Sequence, residues 1–487
     1  MVHRATTLHT APDSTATTRL ETAFAQVRAE LEVREEFPQD VLQEAGLAAG
    51  QPAVPERDLT RLELVTIDPP GSMDLDQAMA LSRASDDDRD HPGAVYRVHY
   101  AIADVPAFVE PGGVVDAEVR LRGQTIYCPD TRVPLHPVMI SEGAASLLPE
   151  QDRPAFVWEM LLDAQGVLLS ASVGRAMVRS RRRYTYAEVQ QAVDDGTAEQ
   201  TLLLLREVGR LLLQQETQRG GAGLPMPEQE VHERDGSYTL QFRPLLEAED
   251  WNAQISLLTG MAAADLMLAG RVGILRTMPP AQDKAVARFR RQVLALGVSW
   301  PEGQSYGELL RRLDRTDPRH LAIIHDATSL FRGAGYTPFD GAVPEQAEQA
   351  AIGAPYAHVT APLRRLVDRY GLVVCAALSA GEPVPDWART ALPELPDVME
   401  RSTQQANAVE QGCVNAVEAM VLESRVGERF AAVVVDEASD DALLIQITDP
   451  AISAKAEGEA DLGEEVTVEL VEADVDARRV TFRVVQE

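Results

Sequence analysis

Cysteine is nearly absent: among 487 residues only Cys128, Cys375 and Cys413 carry a thiol. Far apart, odd in number and in no metal-ligand spacing, they exclude a disulfide framework and are expected as small buried hydrophobes in a reducing compartment. Long apolar runs are missing as well. No stretch reaches the roughly 20 residues of a membrane span, and the opening Met1-Val-His-Arg4, followed by a Thr-rich stretch, has no apolar signal-peptide core. These absences predict a cytoplasmic protein with no membrane partner. The largest deficit is in positive charge. Lys and Arg number 45 against 76 Asp and Glu, a net −31, which on its face opposes a polyanionic partner because phosphate binding rests on Lys and Arg. Two features could reverse that argument: a locally basic channel inside an acidic shell, or bound divalent cations that supply the missing charge.

What is present suffices for roughly three domains on the usual scale of about 150 residues each. Residues 1–60 read as a Thr/Ser/Pro-bearing tail, amphipathic helices from Thr18 to Arg34 and from Pro38 to Leu47, and a linker from Gln51 to Pro55. Residues 61–426 form a larger unit. Its first part, Leu62 to about Ala176, is rich in β-branched residues, alternates at Tyr96, Val98, Tyr100 and Ile102, and has turn clusters at Pro69–Ser72, Asp86–Gly93 and Pro111–Gly113. From about Ala187 to Val426 the period becomes helical, as in Leu202–Leu213, Ala253–Leu268, Leu363–Leu378 and Val398–Val426. Residues 427–487 return to short strands, Phe430–Val435, Ala442–Ile447, Val466–Val471 and Val480–Val485, at a spacing that suits a small OB-type barrel. The fold class is therefore α+β.

The segment richest in chemistry is Leu64-Val-Thr-Ile-Asp68-Pro-Pro-Gly-Ser-Met-Asp74-Leu-Asp76-Gln77. An apolar strand ends at Asp68, a Pro-Pro-Gly turn reverses the chain, and alternation puts Asp74 and Asp76 on one face of the next extended piece. At about 5 Å and an effective dielectric near 20, each like-charged pair costs roughly 3 kcal/mol, so such a cluster needs cations or water. Oxygen ligands of this kind suit Mg²⁺, with Mn²⁺ as a substitute. Spacing alone leaves open a phosphoryl-transfer site, a calcium loop and an inert acidic turn, with calcium disfavoured for want of the closing bidentate Glu. In Tyr356-Ala-His-Val-Thr360-Ala-Pro362-Leu-Arg364-Arg365-Leu-Val-Asp368, Thr360 can cap a helix with Pro362 in its first turn, which brings Arg364 to a helix N-terminus suited to phosphate. The competing account is an ordinary Arg364–Asp368 pair at i,i+4. The run Arg179-Ser-Arg181-Arg182-Arg183-Tyr184-Thr-Tyr186 interleaves arginine with aromatic rings, as single-stranded nucleic acid requires, or is solvated surface charge.

In this order the pieces resemble the catalytic RNB domain of the ribonuclease II and ribonuclease R family, from about Leu62 to Arg425. The likeness also takes in Tyr100-Ala-Ile-Ala-Asp104-Val, Ile126-Tyr127-Cys-Pro129 and Val133-Pro-Leu-His-Pro. The resemblance implies a mixed sheet with surrounding helices and a central channel, flanked by OB-type barrels. It also implies 3′ to 5′ exoribonuclease activity on single-stranded RNA, releasing nucleoside 5′-monophosphates through two bound metal ions. By position Asp68, Asp74 and Asp76 match the metal-site aspartates, with Asp76 nearest the reacting centre. Arg364 matches the arginine on the scissile phosphate, Tyr127 the tyrosine that stacks near the 3′ end, and Arg182 and Arg183 further RNA contacts. No organic cofactor is implied, and a monomer is expected.

The sequence departs from that pattern in three places. The family's last metal-site Asp is replaced by Gln77, expected either as an uncharged ligand or as turned away with Asp104 completing the shell. Only about 60 residues precede the motif where the family commonly carries two cold-shock barrels. The C-terminal barrel holds 16 acidic and 5 basic residues, an unfavourable balance for RNA. Two rivals follow: a catalytically impaired RNA-binding protein of the same fold, and a metal phosphoesterase acting on small molecules.

Overall fold

The computed structural model describes residues 6–9, 15–85, 91–224, 228–234, 237–243, 245–314, 317–437, 442–448 and 451–485. Most of the turn expected at Asp86–Gly93, and part of the N-terminal tail, lie outside them.

The sheet-rich part closes on itself. Strands Leu64–Ile67, Gln77–Arg83, Tyr96–Ala103, Asp152–Leu162 and Leu168–Tyr184 follow one another around a five-stranded barrel, sealed by parallel pairing of the first with the last. Val98 and Ile102 of the third strand and Val157 and Met160 of the fourth are fully buried, while the fifth alternates, burying Val173, Ala176, Val178 and Ser180 between more exposed residues. Helices Gln200–Gln218, Glu247–Gly270 and Leu366–Ala380 pack outside. Glu247–Gly270 is long and apolar enough by composition to cross a membrane, but it is a core helix whose Trp251, Ile255 and Met267 are buried against its neighbours. Gly260 lets the chain at Ala357 run close against this helix: a Cβ there would stand 2.7 Å from the Ala357 carbonyl oxygen. That approach fixes the entry to the Thr360–Arg364 segment.

Several expected boundaries move. The first helix runs Thr15–Glu30 rather than to Arg34, because Glu32 turns the chain with φ of 51°. The second is Gln39–Gly50. The helical stretch after Ala187 is interrupted by the antiparallel pair Val272–Thr277 and Gly335–Asp340, and by a small sheet of Thr6–His9, Glu228–Arg234 and Ser237–Arg243. The short apolar run Val272–Thr277 carries no period that separates strand from buried helix, whereas the alternation of Tyr238, Leu240 and Phe242 is a strand signal inside the helical stretch. Residues 278–334, between the paired strands, form an insert with helices Asp283–Ala295, Tyr306–Arg312 and Pro318–Asp326 around Phe289, Trp300, Leu310 and Ile324.

The C-terminal barrel has five strands, Arg429–Glu437, Ala442–Thr448, Ala451–Glu457, Glu465–Asp474 and Arg479–Val484, in the spatial order first, second, third, fifth, fourth. The third was not among the strands read from sequence. The N-terminal module and this barrel are joined by one apolar core: Leu20, Phe24 and Val27 meet Val409, Cys413 and Val417 of the long helix Leu395–Glu423, which continues into Phe430 and Phe482. Cys375 and Cys413 are buried and Cys128 half-buried.

Candidate functional site

Asp68 follows the first barrel strand, its N–H bonded to the Tyr184 carbonyl at 3.0 Å. The next eight residues form the connection to Asp76, which directly precedes the second strand. Between them Leu75 is a fully buried anchor, and the Ser146 hydroxyl braces the segment, donating to Met73 O at 2.6 Å and accepting from Leu75 N–H at 2.9 Å. The piece is not paired as a strand; Leu75 and Asp76 are buried and Asp74 is half-buried.

Asp76 is only 2 % exposed. One oxygen accepts the Leu363 N–H at 2.8 Å. The other has no hydrogen-bond partner and stands 3.6 Å from the Arg364 guanidinium. Burial pushes this carboxyl up to about 8 despite the opposing pull of Arg364 and the Leu363 N–H. Asp68 behaves alike: one buried oxygen is unpartnered, and burial raises the group to about 6 against the pull of Arg364 and Thr66. Asp74, half-buried, lies within electrostatic reach of both. It accepts from the Tyr127 hydroxyl at 3.2 Å and has Arg132 at 3.6 Å. Among the described residues no three His, Cys, Asp or Glu side chains form a ready-made metal cage. The donor set nonetheless fits a hard dication: two desolvated carboxylate oxygens without partners are what such an ion would satisfy.

Thr360 does not cap the following helix. That helix starts at Leu366, and residues 362–364 form a tight turn before it. The turn is held from three sides. Thr360 O accepts the Gln77 amide at 2.7 Å, Ala361 N–H donates to Asp368 at 2.7 Å, and the carbonyl of Arg364 accepts Thr125 N–H at 3.0 Å. Arg365, not Arg364, pairs with Asp368, at 2.7 and 2.9 Å. Arg364 is thereby left to face Asp76, with its side chain 40 % exposed.

Gln77 has both ends of its carboxamide engaged: besides the bond to Thr360, its oxygen accepts the Tyr100 hydroxyl at 2.6 Å. It is a strut between barrel and turn in this geometry. Asp104 is fully buried and paired with Arg175 at 2.5 Å, away from the other aspartates. Tyr127, 49 % exposed, stands on the hairpin Ile126–Tyr127/Arg132–Val133 beside Asp74. Of the basic run, Arg179 pairs with Asp152 and Arg181 with Glu63, while Arg183 donates to Ser72 O at 2.6 Å and Arg182 stacks on Tyr184 at 4.2 Å. Only Arg183 acts on the cluster directly, lowering Asp68.

Sequence reasoning did not assign Tyr100, Ser146, Arg132 or His136. The His136 ring is buried, its Nδ1 3.1 Å from Leu363 O, so it supports the residue whose N–H holds Asp76. Its only signal was its place in the Val133–Pro137 motif.

Comparison with known proteins shows the family and the fold. The model of the RNB domain matches residues 56–377, and that of the RNase II-type exonuclease C-terminal S1 domain matches 428–485. Ribonuclease R of Chlamydia muridarum is 27 % identical over 372 residues, covering 71 % of this chain and 50 % of that protein. The chain thus spans about half the length of the curated relatives it matches. Among solved structures, Mycoplasma genitalium RNase R in complex with ribose-methylated single-stranded RNA superposes with a TM-score of 0.82 at 18 % identity, over 96 % of this chain and 78 % of that one. Yeast Ssd1, described as a pseudonuclease, superposes at 0.69 and 16 % identity, over 93 % and 58 %. With two thirds of its length in the RNB match and the S1 match following it, the chain belongs to the RNB-domain family.

Proposed function

We propose that this protein is a divalent-metal-dependent 3′ to 5′ exoribonuclease that hydrolyses single-stranded RNA to nucleoside 5′-monophosphates. The observation that carries the reading is the pair of desolvated carboxylates, Asp68 and Asp76, each with an unpartnered oxygen and both within the field of Arg364. Asp68, Asp74 and Asp76 would hold two Mg²⁺ or Mn²⁺ ions, which supply an activated water and neutralise the leaving oxygen. Arg364 binds the non-bridging phosphate oxygens and meets the charge that grows on them. Its turn is braced by Gln77, Asp368 and Thr125, so the guanidinium needs little reorganisation when phosphate arrives. Tyr127 offers an exposed ring beside Asp74 for a terminal base, a contact worth roughly 1 to 3 kcal/mol. Arg182 and Arg183 extend the surface that follows the strand. The reading carries with it a monomeric cytoplasmic protein with no organic cofactor.

A specific observation favours a second reading. The position held by an Asp in the family is Gln77, whose carboxamide is committed to Tyr100 and Thr360, and the fold is shared with a protein described as a pseudonuclease. An RNA-binding protein without turnover would have these features. Digestion of a 5′-labelled oligoribonucleotide with and without Mg²⁺ separates them. Metal-dependent stepwise shortening from the 3′ end supports the enzyme; binding without release of nucleotides supports the alternative.

A further inference from the structure

The protein carries −31 overall, and its C-terminal barrel is among the acidic parts, with 16 acidic against 5 basic residues in 427–487. In OB-type barrels the face of the second and third strands commonly binds oligonucleotides. Here that face is covered. Helix Pro318–Asp326 of the insert packs across Ala442–Thr448 and Ala451–Glu457, while the outward-facing Leu444, with Val433 and Val435 of the first strand, joins the apolar core of the insert. Outward-facing Gln446 is only 4 % exposed. Gln292 donates to Asp436 at 3.4 Å and Arg288 pairs with the same carboxylate, closing the contact.

The insert that covers the barrel has the opposite charge balance. Residues 283–332 include nine Lys or Arg and six Asp or Glu, a local +3. Lys284, Arg288 and Arg291 lie along one exposed helix face, one and two turns apart. Lys284, Arg291, Arg312 and Arg332 are exposed, and none has a carboxylate at ion-pairing distance among the described residues, unlike Arg288 and Arg319, which pair with Asp436 and Asp317. At the end of the insert Thr328, Phe331, Gly333 and Ala334 line a cavity of about 490 Å³ with Arg276 and Asn407. The N–H of Arg276 bonds to Tyr356 O, at the root of the segment that carries Arg364.

We propose that the basic helical insert, rather than the second- and third-strand face of the C-terminal barrel, receives the phosphodiester backbone of the single-stranded RNA on its way to the carboxylate site. This rests on the exoribonuclease reading above. The insert both occludes the usual barrel face and supplies the cations that the barrel lacks, so the polyanion is drawn to the seam between insert and catalytic body.

The test is binding of long and short 5′-labelled oligoribonucleotides to the full chain bearing Lys284→Glu, Arg291→Glu and Arg312→Glu, beside the milder Gln series at the same positions and the barrel control Lys455→Glu. Unchanged thermal melting establishes folding, and the Gln series keeps the test valid if the Glu series unfolds. Affinity for the long strand should fall at least about tenfold, and the slope of log affinity against log salt should shrink by roughly 2, about 0.7 per cation removed. Hydrolysis of a saturating short oligomer should be unchanged. An unaltered salt slope in the insert variants, or a loss confined to Lys455→Glu, overturns the proposal while nucleotide release by the wild type leaves the enzymatic reading standing. A wild type that binds no RNA overturns both.

Discussion

Two five-stranded barrels lie toward opposite ends of the chain. In the first, Asp76 is buried and Asp68 half-buried at strand ends, each with a buried oxygen that accepts no hydrogen bond from the described residues. In the second, carboxylates are far more numerous but stand outside, where Glu457, Glu469 and Glu472 face Arg483, Arg429 and Arg479 across neighbouring strands, all substantially exposed. Water screens those charges and leaves each pair with little net effect. Acidic residues in quantity do not make a metal or catalytic site. Removing a few of them from water without an arginine in direct contact leaves anions that a cation or proton can stabilise, whereas the equally buried Asp104 is paired with Arg175.

The sharpest way to break this comparison is to remove the charge of one buried carboxylate. Asp76→Asn keeps the shape and the acceptor for Leu363 N–H, so RNA binding should survive while turnover drops at least about 10²-fold. Single-turnover hydrolysis alongside equilibrium binding measures both, and near-normal turnover would show that burial at Asp76 serves the fold alone.

The buried region should also carry more of the acid sensitivity. Burial holds His136 neutral, with its pKa brought down to about 4. Because the folded value lies below the unfolded one of about 6.5, the stability tied to neutral His136 is complete above that pH and is lost as pH falls toward 4. Roughly 2 kcal/mol should disappear between about pH 6.5 and 5. The raised carboxyls of Asp68, Asp76 and Asp104 gain stability over the same interval, so the His136 share is read as a difference. In urea unfolding at the two pH values, acidification should favour His136→Asn over the wild type by roughly 2 kcal/mol, and equal changes in the two proteins would place the sensitivity elsewhere.

Tyr127→Ala probes the rim of the first barrel. Loss of a stacking contact of about 1 to 3 kcal/mol should lengthen the resistant end product and weaken short substrates first. An unchanged product ladder would remove the ring from the substrate path. The smallest effect belongs to the second barrel: Glu457→Gln with Glu469→Gln should leave the melting temperature unmoved and short-substrate turnover within about twofold, as surface substitutions do. Substitution is a cleaner probe there than truncation, since deleting the barrel would strip Val433, Val435 and Leu444 from the insert and Phe430 and Phe482 from the core below the long helix.

Adjacent residues specify the parts of this protein whose signal is local. The apolar strand ending at Asp68, the Asp74-Leu75-Asp76 alternation, the doublet Arg364-Arg365 and the regular short strands after Gly427 are all patterns of adjacent residues, and they sufficed for the RNB resemblance and the terminal barrel. Tertiary structure decided everything that depends on which distant groups meet. It closed the expected sheet into a barrel through the pairing of Ile67 with Tyr184, more than a hundred positions apart. It gave Asp368 to Arg365, freeing Arg364, a choice that i,i+3 and i,i+4 spacing left open. It turned Gln77 to Tyr100 and Thr360 and Asp104 to Arg175, and it laid a basic insert over an acidic barrel. Desolvation and long-range hydrogen bonding have no period along the chain, which is why burial at Asp68 and Asp76 could be read only from the folded molecule.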